Sequence, residues 1–355
     1  MRRSKGNLLV DELTIKDIAK KCGVGISTVS RAINNHPDIS PETRQMVMDV
    51  IKETGFIPNN SARNLKRTDA KCIAVLIKGI TNPFFSLAIQ IFETQIQKKK
   101  YAMVIQHVDA YENELDVALQ LVKERRLRGI IFLGGAYQHD PDQIAKLKVP
   151  FIFCTIGTVQ DTGKKVYSNI SVDDRIESHK MVDYLLDLGH RRIAIVTEGT
   201  EAESVGQLRL EGYKDALTAR GVEIDPNLIY EVKDQEDPYS MQNGYELTKK
   251  LLDSGVDFTA VFAIADFLAV GVCRALHEAG KRIPEDVSVA GYDGLAIGEF
   301  YTPQLTTIRQ PMEAMAEKTA GLLLDVIDGK CKHEYISFPA ELVERESTGK
   351  PRNQV

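Results

Sequence analysis

The sequence lacks the long apolar runs of membrane proteins and the leader of a secreted protein. No run approaches the roughly 18 apolar residues that a transmembrane helix needs, so neither a membrane span nor a membrane partner is expected. The N-terminal stretch MRRSKGNLLVDEL carries arginines but no long apolar core, which is unlike a secretory signal. These absences predict a protein of the cytoplasm.

Cysteine is scarce and scattered along the chain. The 5 cysteines include no C-x-x-C pair, and no two histidines have the spacing of a metal site. A disulfide framework and a zinc site are therefore both unexpected, and reduced thiols suit a cytoplasmic protein. We predict no metal and no cofactor.

Enzyme signatures are missing as well. No G-x-G-x-x-G follows a strand-like run, and the P-loop and the G-x-S-x-G elbow are absent. The fragment GVGIST, residues 23–28, has neither a preceding strand nor the G-K-[ST] ending of a phosphate loop. The 7 histidines do not lie beside plausible nucleophiles along the chain. We therefore expect a protein that is not an enzyme and has no catalytic residues.

Positive charge is too low in the chain as a whole for a typical nucleic-acid binder, since the net charge is −5. Residues 1–68, however, hold 12 Lys and Arg against 7 Asp and Glu, which is a net charge of +5. The other residues hold 33 and 43, a net charge of −10. Because phosphates would repel the acidic part, any DNA contact is expected within residues 1–68.

Three short helices are predicted within this basic segment. Thr14 is the expected N-cap of the first, with Asp17 at the N3 position. The second runs from about Ile26 to Ile33, and the third begins at Ser40 and Pro41. Helical spacing predicts these inward-facing residues: Ile15, Ile18, Ala19, Val29, Ile33, Met46, Val47, Val50 and Ile51.

Short helices joined by a tight glycine turn describe a helix-turn-helix unit, whose second helix enters the major groove of DNA. The residues of that helix that can reach base edges are Ile26, Ser27, Thr28 and Arg31. Hydroxyls and arginine can bond bases or phosphates, whereas isoleucine can touch only apolar features such as a thymine methyl. A generic three-helix bundle, in which the hydroxyls only cap the helix, is the alternative on spacing alone.

Beyond residue 70 the chain alternates strand-like apolar runs with amphipathic helical stretches, which predicts parallel sheets with helices on both faces. Strands are expected at Cys72–Ile77, Met103–His107, Ile130–Leu133, Phe151–Thr155, Ile193–Thr197, Leu228–Val232, Ala260–Ile264 and Val287–Gly291. Helices are expected at Phe85–Lys99, Glu112–Arg126, Arg175–Leu188, Leu208–Arg220, Ser240–Ser254, Phe267–Ala279 and Met312–Asp328. So many strands favour two lobes, with a cleft beyond the carboxyl ends of the strands.

Motifs in both parts of the chain resemble those of the lactose-repressor/galactose-repressor family of bacterial transcription regulators. In the basic segment they are TIKDIA, GVGISTVSR and FIPNNSARNL, in that order. In the body they are NPFF, LGHRRIAIV, RLEGY, DFLAVG, IPEDVSVAGYD and PQLTTIRQP, so the resemblance covers nearly the full length. It implies an α/β fold class with an all-α helix-turn-helix headpiece and a two-lobed body like a type I periplasmic binding protein.

The resemblance also implies a layout and a mechanism. We expect a headpiece at 1–58, a hinge helix and linker at 59–70, a body at 71–348 and a tail at 349–355. Chain crossovers between the lobes are expected near Ser168, Gln310 and Pro339. The protein would be a regulator, a repressor by expectation, whose affinity for operator DNA is switched by a small-molecule effector bound between the lobes. The polar tail contains no heptad zipper, so a homodimer is expected.

DNA-binding residues follow from the same match. Base-reading positions correspond to Ile26, Ser27 and Arg31, and phosphate or headpiece contacts to Thr14, Thr28, Ser30 and Asn34. In the hinge the matching residues are Asn59, Ala62, Leu65 and Lys66. The family's hinge leucine wedges into the minor groove at the centre of a pseudo-palindromic operator, and the lysine beside it suggests a central CG step. Gly25 and Ile26 differ from residues frequent in relatives, so the outer operator bases stay open.

Effector-binding residues implied by the resemblance are Phe84, Phe85, Thr155, Arg209, Asp293 and Gln310. From the residues alone, the two phenylalanines are better explained as core aromatics, and the glutamine is equally well explained as a hinge residue. Asp266 is expected to cap the helix that begins at Phe267. Thr155 and Ala265 stand where sugar-binding relatives often have Asp and Asn, so two polar anchors are lost. The expected effector, a sugar or another metabolite, is therefore either less rich in hydroxyls or bound by other residues.

Other functions remain open at this stage. A solute receptor of a transporter would share the body but would need a secretion signal and no headpiece. An enzyme would show turnover without DNA binding. A regulator of the catabolite-control type would use a protein corepressor in place of the small effector. Whether the effector induces or corepresses is not determined by the sequence.

Overall fold

A computed structural model describes residues 13–33, 38–54, 56, 72–79, 81–109, 111–157, 166–199, 204–232 and 237–352. The chain divides into two units, Met1–Asp69 and Ala70–Val355, which are described separately below. No helix among these residues is both long and apolar enough to cross a membrane.

The N-terminal unit contains the three predicted helices, α1 (Ile15–Cys22), α2 (Ile26–Ile33) and α3 (Pro41–Thr54). At the start of α1 the carboxylate of Asp17 accepts the backbone N–H of Thr14 at 2.9 Å and its hydroxyl at 2.6 Å. At the start of α3 the hydroxyl of Ser40 accepts the backbone N–H of Thr43 at 3.2 Å. These contacts satisfy donors at the helix starts, as the capping patterns predict.

A small apolar core holds the three helices together. It consists of Ile18, Ala19, Val29, Ala32, Val47 and Phe56. The prediction that Met46 faces inward is wrong, because this residue is exposed while the adjacent Val47 is fully buried. Neighbouring helix positions are about 100° apart, so Val47 can face the core while Met46 points to the solvent.

The C-terminal unit contains two six-stranded sheets, one in each of two lobes. The first lobe has β1 (Cys72–Lys78), β2 (Ala102–Val108), β3 (Leu127–Leu133), β4 (Phe151–Cys154), β5 (Ser168–Ser171) and β11 (Tyr335–Ser337). The second has β6 (Ile193–Glu198), β7 (Ile229–Val232), β8 (Ala260–Ala263), β9 (Ser288–Asp293), β10 (Thr306–Arg309) and β12 (Glu341–Val343). The strand orders are β2-β1-β3-β4-β5-β11 and β7-β6-β8-β9-β10-β12. Among the strands of the described residues, β12 alone pairs antiparallel, with β10.

Helices cover both faces of the sheets. They are α4 (Ser86–Lys98), α5 (Glu114–Glu124), α6 (Pro141–Lys146), α7 (Asp174–Asp187), α8 (Val205–Ala219), α9 (Met241–Asp253), α10 (Asp266–Glu278), α11 (Ile297–Phe300) and α12 (Met312–Ile327). Short 3-10 turns lie at Pro83–Phe85 and Pro226–Leu228. The strands and helices expected from the long apolar runs are confirmed, with ends that differ by a few residues.

The chain passes between the lobes three times: between β5 and β6, between β10 and α12, and between β11 and β12. The strands that sequence patterning missed, β5, β10, β11 and β12, border these passages. They have three or four residues each, with sequences such as SNIS and TTIR. Runs this short and polar carry no clear alternation, so their pairing depends on the neighbouring strands.

Candidate functional site

The polar cluster of the second lobe lies where parallel strands end. In the second sheet β6 lies between β7 and β8, so the chain goes from β6 to β7 on one side and then crosses to β8 on the other. Where the strand order reverses in this way, a crevice opens at the carboxyl ends of the strands. Arg209 in α8, the carbonyl of Ile264 after β8, and Asp293 at the end of β9 meet here. Asp174, at the start of α7, completes the cluster.

Arg209 is the centre of the cluster, and only 4% of it is exposed. Its Nε donates to Asp174 Oδ1 at 2.8 Å, and its Nη1 donates to the carbonyl of Ile264 at 2.6 Å. Nη1 also lies 3.5 Å from Asp293 Oδ1, and the guanidinium stacks 3.7 Å from the centroid of the Tyr292 ring. Burial acts to lower the pKa of Arg209, but the charges of Asp174 and Asp293 raise it above its ordinary value. The arginine therefore stays charged in a buried place.

Burial disfavours the ionised form of both carboxyl groups beside Arg209. Burial raises the pKa of Asp174, against the lowering effect of Arg209. Burial also raises the pKa of Asp293 to about 7, and here Arg209 and the Nε2 of Gln310, which donates to Asp293 Oδ1 at 2.9 Å, act in the opposite direction. One arginine faces two carboxyl groups, so the cluster can accept further hydrogen bonds but offers few free donors.

Several buried polar atoms here have no hydrogen-bond partner among the described residues. They are Oδ2 of Asp174, the hydroxyl of Tyr292 and the hydroxyl of Thr155. The tyrosine hydroxyl is close enough to Asp174 to lower the pKa of that carboxyl, but not in hydrogen-bond geometry. Because native proteins pair nearly all buried polar groups, unpaired ones at the end of a crevice indicate a place where a ligand supplies the partner.

Backbone strain marks the same region in both lobes. Thr155, directly after β4, has a φ of 68°, and Asp293, at the end of β9, has a φ of 106°. Positive φ is rare for residues other than glycine, and such strain concentrates at ligand-binding sites. Thr155 and Asp293 are two of the residues that the sequence resemblance assigned to the effector.

Asp266 does not cap α10, so that prediction is wrong. The N-cap position belongs to Ala265, and Asp266 is the first residue of the helix. Its carboxylate accepts the backbone N–H of Leu295 at 2.6 Å and the hydroxyl of Thr307 at 2.7 Å. These partners lie in other segments of the lobe, and the sequence pattern alone could not identify them.

Phe84 and Phe85 lie in the 3-10 turn after β1, where Asn82 accepts the backbone N–H of Phe84 at 3.0 Å. Both rings belong to the apolar core, and their centroids are 5.7 Å apart. Their contact with an effector stays a prediction.

Contacts between described residues join the lobes across the crevice. The hydroxyl of Thr81 donates to Asp237 Oδ1 at 3.1 Å, and that of Tyr137 donates to Gln207 Oε1, also at 3.1 Å. Gly157 packs so closely on Leu208 that an added Cβ would lie 2.4 Å from its Cδ1 atom. The lobes are therefore held together at their strand ends as well as at the chain crossovers.

Sequence reasoning also missed Glu198, a further acidic residue of the crevice in addition to Asp174 and Asp293. Glu198, the last residue of β6, is buried, and its Oε2 accepts the hydroxyls of Ser204 at 2.7 Å and of Tyr239 at 2.6 Å. A signal was present, since this glutamate directly follows the strand-like run Ile193–Thr197. Of its two hydroxyl partners, Ser204 follows six residues later, whereas Tyr239 is 41 residues away and carried no such signal.

In the N-terminal unit, the residues predicted to face DNA lie on an open surface of α2. Ile26 is 45% exposed, Ser27 and Arg31 are exposed, and Thr28 and Ser30 are half-buried. Thr14 is exposed at the start of α1. The other predicted DNA contacts, Asn34, Asn59, Ala62, Leu65 and Lys66, lie outside the described residues.

Comparison with known proteins agrees with both units. Residues 14–59 match the model of bacterial regulatory proteins of the lacI family, and residues 182–348 match a periplasmic binding protein-like domain. The chain is 38% identical over 338 residues to the HTH-type transcriptional regulator MalR of Clostridium butyricum, covering 94% of this chain and 99% of that one.

Solved structures give the same result. The lac repressor dimer bound to operator and the anti-inducer ONPF matches with a TM-score of 0.71 at 26% identity, covering 96% of this chain and 100% of that one. A complex of the transcriptional regulator CelR with cellobiose matches with a TM-score of 0.67 at 27% identity, covering 94% and 99%. Together with the strands, crevice and helix-turn-helix unit described above, these matches show that the chain belongs to the lacI family of bacterial regulatory proteins, which are DNA-binding transcriptional regulators.

Proposed function

We propose that this protein is a cytoplasmic repressor in which α2 reads operator DNA and the crevice around Arg209 binds the effector that switches it. The observation that carries the effector half is the buried cluster of Arg209, Asp174 and Asp293, with unpaired polar atoms beside it. The DNA half rests on the exposed face of α2 in a basic segment.

DNA recognition is assigned to the start of α2. Arg31 can donate to guanine or to phosphate, Ser27 can bond either, and Ile26 offers an apolar contact that suits a thymine methyl. Thr14, Thr28, Ser30 and Asn34 would hold the headpiece on the backbone. One such helix makes few base contacts, so a dimer on two half-sites is needed for specificity.

The effector site favours an uncharged ligand rich in hydroxyl donors. Asp174, Asp293 and Glu198 are acceptors, whereas the charge of Arg209 is already shared between two carboxylates. An anionic ligand would be repelled by this excess of carboxylates. Thr155 and Gln310 would contribute a hydroxyl and an amide, with Phe84 and Phe85 forming an apolar wall. Cellobiose, the ligand of one solved relative, has the required chemistry.

Dimerisation is assigned to the free edge of the first sheet. Ile105, on the outer strand β2, is 45% exposed, and Leu87, on the adjoining α4, is exposed as well. Neighbouring apolar side chains of this size on one surface suit burial against a second copy of the chain. A solved relative is a dimer on its operator.

The hinge would couple the two functions. Leu65 would wedge into the minor groove at the operator centre, with Asn59, Ala62 and Lys66 beside it. Wedging unstacks a base step and bends the duplex, so it depends on how the two hinges of a dimer are spaced. An effector that favours one lobe arrangement changes that spacing, and by linkage DNA changes effector affinity by the same factor.

The test begins with selection of a duplex from a random DNA pool and titration of the selected duplex by fluorescence anisotropy at several salt concentrations. We expect affinity to fall steeply with salt. Leu65→Ala should weaken binding about tenfold or more, as expected for a lost minor-groove wedge of a few kcal/mol, while Thr68→Ala serves as the control. Titration with cellobiose and ribose should then shift DNA affinity of the wild type. A flat salt response, or unchanged affinity of Leu65→Ala, would contradict the proposal.

A further inference from the structure

Asp266 has a fully buried carboxyl group, and its side-chain hydrogen bonds to Leu295 and Thr307 involve none of Arg209, Asp174 or Gln310. It lies in the first turn of α10 with 0% of its surface exposed. Both of its oxygens are used, one by the backbone N–H of Leu295 and the other by the hydroxyl of Thr307. Its Oδ1 also lies against β9, because a Cβ added at Gly291 would come within 2.3 Å of it. The side chain thus ties α10 to β10 and to the segment that follows β9.

The segment held by Asp266 has a strained backbone. Asp293 has a φ of 106° and Gly294 a φ of 77°. An aspartate does not keep such a conformation unless its surroundings impose it. Leu295 follows immediately, so its bond to Asp266 fixes the far end of the turn. On the near side, the backbone N–H of Gln310 donates to the carbonyl of Asp293 at 3.3 Å.

The direction of the Asp293 side chain depends on this turn. Its Oδ1 accepts from Gln310 Nε2 at 2.9 Å and lies 3.5 Å from Arg209 Nη1. At a negative φ the same side chain would leave the strand end in another direction. Whatever imposes the positive φ therefore also aims the carboxylate into the crevice.

We propose that Asp266 is a positioning residue, which holds the turn at Asp293 and Gly294 in its strained form and so aims Asp293 at the effector. This role rests on the proposed function only in taking Asp293 as an effector contact. Asp266 acts on the turn through its two hydrogen bonds rather than through its charge.

Charge is the competing explanation, because Asp266 and Asp293 are near one another. Burial and the charge of Asp293 raise the pKa of Asp266 to about 8, and the other charged groups of the cluster are Arg209 and Asp174. Asparagine separates the two explanations. Its oxygen can accept the N–H of Leu295 and its amide can donate to the hydroxyl of Thr307, so Asp266→Asn removes the charge and keeps both bonds.

The first measurement compares crystal structures of the full-length wild type, Asp266→Ala and Asp266→Asn without ligand. In Asp266→Ala we expect Asp293 to leave positive φ and its Oδ1 to move beyond hydrogen-bond reach of both Gln310 and Arg209. In Asp266→Asn we expect the turn to be kept. An unmoved turn in Asp266→Ala would overturn the proposal, and a displaced turn in Asp266→Asn would assign the effect to charge.

The second measurement is calorimetric titration with cellobiose well below the unfolding temperature. Asp266→Ala should lose about tenfold or more in affinity, the equivalent of about 1.4 kcal/mol, while Asp266→Asn stays close to the wild type. If Asp266→Ala only lowers the unfolding temperature and binds normally, Asp266 is merely structural. A wild type that binds no cellobiose would count against the proposed effector class, whereas the crystal structures still decide the positioning role.

A milder variant keeps the test decisive if Asp266→Ala does not fold. Thr307→Val removes one of the two hydrogen bonds and leaves the carboxylate in place. We expect a smaller loss of cellobiose affinity and a partial displacement of Asp293 in its crystal structure. If the turn at Asp293 and Gly294 in Thr307→Val superposes on that of the wild type, and the affinity for cellobiose is unchanged, the proposal is contradicted.

Discussion

At the scale of single residues, Arg209 shows how a buried charge organises the site. It joins α7, β9 and the end of β8 through its contacts with Asp174, Asp293 and the carbonyl of Ile264. The planar guanidinium can do this because its donors point in several directions while its face stacks on Tyr292. Lysine, with a single point charge, could not satisfy the same set.

Replacement of this arginine should destabilise the body strongly. Arg209→Met leaves two buried carboxylates without a cation, so we expect the free energy of unfolding to fall by about 3–5 kcal/mol. Urea denaturation of the wild type and of Arg209→Met at neutral pH measures this fall in the free energy of unfolding. The matched control is Arg220→Met, which removes a surface arginine paired with Asp183 and Asp187 and should change stability little. Equal effects of the two variants would contradict the buried role of Arg209.

Asp266 and Asp293 should also make stability depend on pH. Their folded pKa values, about 8 and about 7, lie above that of an exposed aspartate, so between pH 4 and 8 the folded state binds more protons than the unfolded state. Stability therefore falls as pH rises through this window, by up to about 1.4 kcal/mol per pH unit for each proton.

Asp266→Asn removes one of these groups, so its loss of stability between pH 5 and 8 should be smaller than that of the wild type. Urea denaturation of both proteins across this range gives the difference. His190, whose pKa is lowered by burial, acts in the opposite direction but is common to both proteins. If the free energies of unfolding of the two proteins change with pH in parallel, Asp266 does not change its proton occupancy on unfolding.

At the scale of secondary-structure elements, the loops after the strands perform the binding and the strands place them. The segments that follow β1, β3 and β4 contact the second lobe, and those that follow β6 and β7 contact the first. Parallel strands bring these loops to one edge of each sheet, which is why residues far apart in sequence meet there. The side-chain contacts Thr81–Asp237 and Tyr137–Gln207 are products of this arrangement.

Loss of one such contact should loosen the lobes. Thr81→Val removes the hydrogen bond to Asp237, which contributes about 0.5–1.5 kcal/mol. We expect a larger radius of gyration in X-ray scattering without ligand. We also expect a lower affinity for the effector if the effector favours the lobe arrangement in which Thr81 contacts Asp237. Thr94→Val is the control, because its hydroxyl bonds only the carbonyl of Gln90 within α4. Identical scattering from the two variants would show that the contact does not hold the lobes.

At the scale of the whole molecule, charge is divided between two units with different tasks. The basic segment 1–68 has a net charge of +5 and the rest −10, so the body is repelled by the DNA that the headpiece binds. A dimer of such chains would present two headpieces to one operator. The proposed dimer surface on β2 and α4 lies in the first lobe.

A charge placed on this surface should separate the subunits. Ile105→Asp puts a carboxylate into the proposed apolar contact, and we expect a monomer by analytical ultracentrifugation, with operator affinity reduced by at least tenfold because two half-sites no longer bind together. Ile176→Asp, at an exposed position on α7, is the matched control and should leave the dimer intact. A dimeric Ile105→Asp would exclude this surface.

Local sequence patterns were enough to predict the class of fold, the helix-turn-helix unit and most of the long strands and helices. These follow from local patterns, namely apolar periodicity, capping residues and glycine stops, which act between residues close in the chain. The resemblance in motifs such as RLEGY and VSVAGYD also pointed to Arg209 and Asp293. Both residues lie in the buried cluster, although their contact with an effector stays a prediction.

Tertiary structure decided the rest. The short strands β5, β10, β11 and β12 exist because neighbouring strands offer them hydrogen-bond partners. Asp266 looked like a helix cap in the sequence, yet its partners Leu295 and Thr307 come from other segments, brought near by sheet order. Glu198 and Tyr239 meet for the same reason. Contacts between residues distant in sequence depend on the packing of the whole lobe, and no local pattern encodes them.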